Sequence, residues 1–156
     1  MIRRVVLLGL AVLLIACLAS AEEQGLEKYI ELLRQDLRAS RVAVITEFLP
    51  MTEAQAAEFW PIYREYELDL AKLTDEWLML LRDYGEHYGD MTDSKARELF
   101  NRVQRNDKKR LQLKQDYYRK MDRKLPSTLV TRFFQIMNQV EMLIDLQVAS
   151  EVPLIE

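Results

Sequence analysis

The chain has 156 residues, with 22 Lys and Arg against 25 Asp and Glu, one histidine, one cysteine, four glycines and four prolines. A lone His87 and a lone Cys17 leave no inventory for a nucleophile–base–orienter triad or for a cysteine-rich metal or disulfide framework, and a net charge of −3 argues against a nucleic-acid binder. On this inventory the chain is expected to be neither an enzyme nor a cofactor protein, and no metal site is assigned.

The N-terminus has the order of a secretory signal. Arg3 and Arg4 precede an apolar run from Val5 to Ala16, Ala19-Ser20-Ala21 is a small-x-small cleavage site, and Glu22-Glu23 open a polar region. We expect residues 1–21 to be removed and residues 22–156 to form a single helical domain. The competing reading is a membrane anchor, but Val5–Ala21 is at the lower edge of the roughly 20 residues a span needs. Leu14-Ile15-Ala16-Cys17 also resembles a lipoprotein lipobox, so lipidation of Cys17, with membrane attachment through it, stands beside free release as an expected outcome.

Glycine and proline are scarce, no segment alternates with strand period, and the fold class expected is all-α: four antiparallel helices with long central members. The first predicted helix covers about Leu26 to Phe48 and is stopped by Pro50, which disfavours helical backbone in the residue before it. The second begins at Thr52, where Thr52-Glu53-Ala54-Gln55 reads as a capping box. Phe59, Tyr63, Tyr66, Leu70, Leu73, Trp77, Leu80 and Tyr84 then recur in alternating steps of four and three, the 3.5-residue period of a long helix-pair seam. The third runs from Thr92 to about Lys124, apolar at its ends and polar on every side from Gln104 to Arg110. Such a stretch bridges solvent or faces charge. The fourth starts near Pro126-Ser127 and reaches about Ala149, and the apolar tail Val152-Pro153-Leu154-Ile155 is expected to fold back as a clip.

The helix entries repeat weakly. Met51-Thr52, Met91-Thr92 and Leu125-Pro126 are each followed, eight and nine residues on, by Phe59-Trp60, Leu99-Phe100 and Phe133-Phe134. A hydrophobic residue before each N-cap, followed by amphipathic spacing, accounts for this pattern as readily as common descent of the segments.

Charge is unevenly spread. Residues 22–101 carry net −9, residues 102–124 net +7, and residues 125–156 net −3. The candidate binding residues are therefore Arg102, Arg105, Lys108, Lys109, Arg110 and Lys114 on the third helix. Two readings are open: a solvated face neutralised by Glu65, Glu67, Asp69, Asp75 and Glu76 of the second helix, or a positive surface for acidic, partly apolar polypeptide. Anionic lipid headgroups suit the second reading as well. Glu86, His87 and Asp90 around the Gly85–Gly89 turn offer at most a loose metal site, since zinc usually needs three or four convergent ligands.

Met51-Thr52-Glu53-Ala54-Gln55 is similar to the Leu-Thr-x-x-Gln signature of the Spy/CpxP family of bacterial periplasmic proteins, and Leu125-Pro126-Ser127-Thr128-Leu129 with Arg132-Phe133 resembles its second copy. Met51 stands where the signature has Leu, and Pro126 and Leu129 stand where it has Thr and Gln. The motif positions carried over are Met51, Thr52, Gln55, Leu125, Arg132 and Phe133. The resemblance spans roughly residues 40–150. It implies a cradle-shaped helical protomer that usually dimerises, located in the periplasm. It also implies ATP-independent binding of unfolded or stress-damaged protein, or restraint of an envelope-stress sensor protein. A metal-responsive envelope sensor is the third, less favoured reading.

Overall fold

The computed structural model describes residues 40–155, with the side chains of Gln147 and Glu151 left aside. The expected signal segment, Cys17 and most of the first predicted helix lie outside the described residues. Helical residues 40–48 form the described part of α1, and α2 is Glu53–His87, α3 is Asp93–Asp122 and α4 is Ser127–Glu151, with a 3₁₀ turn at Tyr88–Asp90. The protein is all-α, and the described residues contain no strand. None of the described helices is long and apolar enough to cross a membrane. The chain divides between Val44 and Ile45 into two units, and the second unit carries everything that follows.

Local chemistry sets the helix starts. At α2, the Thr52 hydroxyl accepts from the Gln55 amide at 3.3 Å while the Thr52 amide donates to the Gln55 side chain at 3.0 Å, both halves of a capping box. At α3, the Thr92 hydroxyl accepts from the Lys95 amide at 3.2 Å. The α4 entry lacks a side-chain cap: Pro126 holds the N-cap position, and only its carbonyl takes part, accepting from Leu129 and Val130. The entry at Thr52 thus has a side-chain cap and the entry at Pro126 has none. α2 is continuous through Pro61, whose missing N–H removes one internal hydrogen bond in a helix of 35 residues.

α2 and α3 form an antiparallel hairpin, and α4 returns antiparallel to α3. Glu58 lies opposite Lys124 and Glu76 opposite Lys109, while Tyr118 meets Thr131 and Lys114 meets Asn138. The 3.5-residue seam of α2 is the buried one: Phe59, Tyr63, Tyr66, Leu70 and Leu80 are buried and Leu73, Trp77 and Tyr84 half-buried. The core is thickest where the two chain termini of the hairpin meet α4. There Phe133 sits edge-on to Phe59 at 5.2 Å and to Tyr66 at 5.9 Å, and contacts Phe134 at 4.8 Å. Ile45, Leu49, Met121, Leu125, Val130 and Met137 are buried in the same unit. Fully burying each such side chain stabilises the fold by roughly 1.5–3 kcal/mol.

The three repeated entries bury their first apolar residue alike, since Phe59, Leu99 and Phe133 are all buried. The second residue differs. Trp60 packs on Phe59 and Tyr63, and Phe134 on Tyr66 and Tyr118. Phe100, by contrast, is 63% exposed. The C-terminal tail is tied back through its backbone alone: the Tyr84 hydroxyl donates to the Pro153 carbonyl at 2.6 Å, while the apolar Leu154 and Ile155, expected to pack, stay exposed.

Candidate functional site

The basic segment of α3 meets the acids of α2 along one flank of the hairpin. Lys109 bonds both Glu76 oxygens at 2.7 and 2.9 Å, Lys124 reaches Glu58 at 2.7 Å, and Lys120 pairs with Glu65. At the turn end, Asp83 takes Lys95 at 2.7 Å and also Arg102, which bonds Glu98 at 3.1 Å as well. The acids at positions 58, 65, 76 and 83 are spaced by 7, 11 and 7 residues, so they fall on one edge of the α2 seam, and the antiparallel run of α3 brings a cation to each.

Asn106 interrupts this polar stretch. It is 2% exposed, donates to the Leu73 carbonyl at 2.9 Å and accepts from Arg110 at 3.2 Å. The Arg110 guanidinium lies 5.9 Å from the centre of the Trp77 ring, within cation–π range. Gln104 to Arg110 is polar on every side, but the expectation that such a stretch only bridges solvent or faces charge is corrected. One of its edges is a packed, hydrogen-bonded contact with α2, because an amide that donates to a neighbouring carbonyl loses little on burial.

The six candidate cations separate into groups. Arg102 and Lys109 pair with α2, and Arg110 is held by Asn106 and Trp77. Lys114 turns to α4, where it meets Asn138 at 2.9 Å and pairs with Glu141. Arg105 and Lys108 are exposed and have no ion pair among the described residues. Of the motif residues, Leu125 and Phe133 are buried, Met51 and Gln55 half-buried, and Thr52 and Arg132 exposed. They build helix junctions and do not converge with the basic segment on one site.

Around the turn, ligand atoms of Asp83, Glu86 and His87 lie within 4.8 Å of one another, so Asp83 replaces Asp90 in the cluster read from the sequence. His87 Nδ1 is 2.9 Å from the Asp83 carbonyl and 3.2 Å from its carboxylate. Lys95, and after it Arg102, holds the Asp83 carboxyl below its ordinary range, and Asp83 in turn raises both cations. A metal ion would have to displace two cations already seated there, which makes this a poor metal site.

Asp69 is likewise held low, by Lys72 first and then by the Tyr117 hydroxyl, which donates to it at 2.7 Å. Burial, reinforced by Asp69, pushes the Tyr117 phenol well above its usual range. Both aspartates have a folded pKa below the unfolded value of about 3.9. Their contribution is thus complete above that pH and is lost as pH falls through the folded values. The expected result is a urea midpoint flat from pH 7 to about 5 and falling below about pH 4, read by far-UV circular dichroism. Asp69→Asn/Asp83→Asn should flatten the acid limb.

The sequence reading did not single out Asp83, Lys95, Asn106 or Glu141. Laying α2 antiparallel to α3 about the Gly85–Gly89 turn would have found the first three. Glu141 carried no local signal, since it is one of three acids on α4 and nothing in its neighbours in sequence sets it apart.

Fold and surface together define an all-helical protein whose hairpin is braced by ion pairs on one flank and closed by α4 on the other. No protein-family model matches the chain, and no curated protein or solved structure matches it.

Proposed function

We propose that this chain is a non-enzymatic protein-binding protein of the periplasm, an ATP-independent chaperone of the kind its signatures resemble. One observation carries the reading. Large apolar side chains stand outward on a rigid helical frame, with Phe100 and Leu111 on α3 and Met142, Leu143 and Leu146 on α4 all largely exposed. Exposed apolar side chains of this size, near exposed cations that have no ion pair, suit a protein-interaction surface. Because Arg102, Lys109 and Lys114 are engaged within the fold, the electrostatic share of client binding falls to Arg105 and Lys108.

The test is suppression of light scattering from an unfolding client by the protein and by Arg105→Glu/Lys108→Glu. Protection near one-to-one stoichiometry is expected, weakened several-fold by the charge reversal. No protection by the native protein would overturn the chaperone reading. In that case the regulator reading, in which the chain docks on one envelope-stress sensor protein, makes its own demand: a single saturable partner enriched from envelope extract.

A further inference from the structure

α3 carries a second regular stripe that the hairpin does not use. Arg97, Phe100, Gln104, Lys108, Leu111, Gln115 and Tyr118 follow one another in steps of 3, 4, 4, 3, 4 and 3 residues. At 3.6 residues per turn they fall within a sector about 80° wide, and the mean step is the 3.5-residue period along which a second helix can lie and wind. Its lower end is occupied: Tyr118 bonds Thr131 of α4 and lies on Phe134. Its upper part is bare, with Phe100 63% and Leu111 57% exposed and Arg97, Gln104, Lys108 and Gln115 exposed as well. The bare part leads into a groove of about 360 Å³ between α3 and α4, bordered by Leu111, Gln115 and Arg119 and floored by Tyr118 and Phe134.

We infer that this stripe, from Arg97 to the α3/α4 groove, docks an amphipathic helical segment of another polypeptide whose apolar side chains are flanked by carboxylates. The inference rests on the protein-binding reading above and gives it a surface and a partner chemistry. Phe100 is the one second-position residue of the three repeated helix entries that nothing covers, whereas Trp60 and Phe134 are packed by neighbouring rings. Charge selects the partner. Arg97 and Lys108 have no ion pair among the described residues, although most basic residues of α3 do, and no stripe position is acidic. Asp107 borders the stripe beside Val103, so the attraction is concentrated at the Arg97 and Lys108 turns. The groove at the end accepts one large apolar side chain, which fixes the register of the docked segment.

The test uses the protein in the processed form in which cells produce it. Two fluorescein-labelled peptides serve as probes, both with leucines in three- and four-residue steps, one with glutamates and one with lysines between them. Fluorescence anisotropy is expected to show the glutamate peptide binding at least about tenfold more tightly than the lysine peptide. Phe100→Ser/Leu111→Ser should weaken it by about tenfold or more, the loss expected from uncovering two large apolar contacts, and Arg97→Glu/Lys108→Glu should reverse the preference. All four positions are exposed, so helical content and melting temperature should stay at the native values.

Equal binding of the glutamate peptide by the native protein and both variants would overturn the inference. So would an assembly of this chain, detected by sedimentation, that dissociates in Phe100→Ser/Leu111→Ser, because a second copy would then be the occupant. The scattering assay run in parallel separates the two levels. A native protein that protects a client no better than the stripe variants sinks the stripe alone, and one that neither protects nor binds either peptide sinks both.

Discussion

Phe133→Ala should lower the unfolding free energy by about 3–5 kcal/mol, a large share of the 5–15 kcal/mol that holds a domain of this size. Phe133 is fully buried and makes ring contacts with Phe59, Tyr63, Tyr66 and Phe134, so one truncation removes the hub around which α2 and α4 pack. The void is lined by rings that move as rigid plates, which limits relaxation and places the cost at the upper end. Urea unfolding followed by circular dichroism checks it. A midpoint within experimental error of the native one would mean that the three helices do not share this core. Phe133→Leu, which keeps most of the volume, should cost less than half as much.

Lys114→Ala should cost about 2–3 kcal/mol, and Lys114→Ala/Glu141→Ala should recover most of it. The pair lies at the α3/α4 contact, with side chains 24% and 13% exposed, and Glu141 Oε1 is buried without a hydrogen-bond partner. Removing the lysine leaves a carboxylate surrounded by protein, and the penalty comes from that stranded charge more than from the lost attraction. The partial exposure of the lysine sets the figure below the range for a fully buried pair. Unfolding curves for the two single variants and the double variant give the coupling directly. Additive costs would show that solvent reaches the glutamate freely. Lys114 was a binding candidate on sequence grounds, so this cycle also tells whether its removal affects client protection only through stability.

The helix boundaries were legible because they are local. Pro50 ends α1, Thr52 with Gln55 starts α2, and Thr92 starts α3, each decided by atoms within four residues of chain. The buried seam of α2 was legible for a similar reason, since a 3.5-residue period survives over eight apolar positions. The basic segment was legible as charge but not as pairing. Lys109 finds Glu76 33 residues away and Lys124 finds Glu58 66 residues away, and both matches depend on the length of the turn between the helices. Asn106 was misplaced because a polar residue inside a polar run gives no pattern, and only the Leu73 carbonyl opposite reveals why it is buried. Phe100 was read as one more apolar position at the start of a helix, because the repeat that it shares with Trp60 and Phe134 gives no sign that its neighbours are missing.

The row of paired charges along the α2/α3 flank also governs how a partner approaches. Each carboxylate with its cation is a short transverse dipole, and the field of such a row decays within a few ångströms, sooner than the roughly 8 Å over which salt screens a bare charge. That flank, for all its charge, therefore gives an incoming polypeptide little guidance from a distance. Encounter along that flank should proceed near the unsteered rate of about 10⁵–10⁶ M⁻¹s⁻¹, with only the unpaired cations of α3 adding a dependence on ionic strength. Selectivity would arise only after contact, in how long the complex lasts.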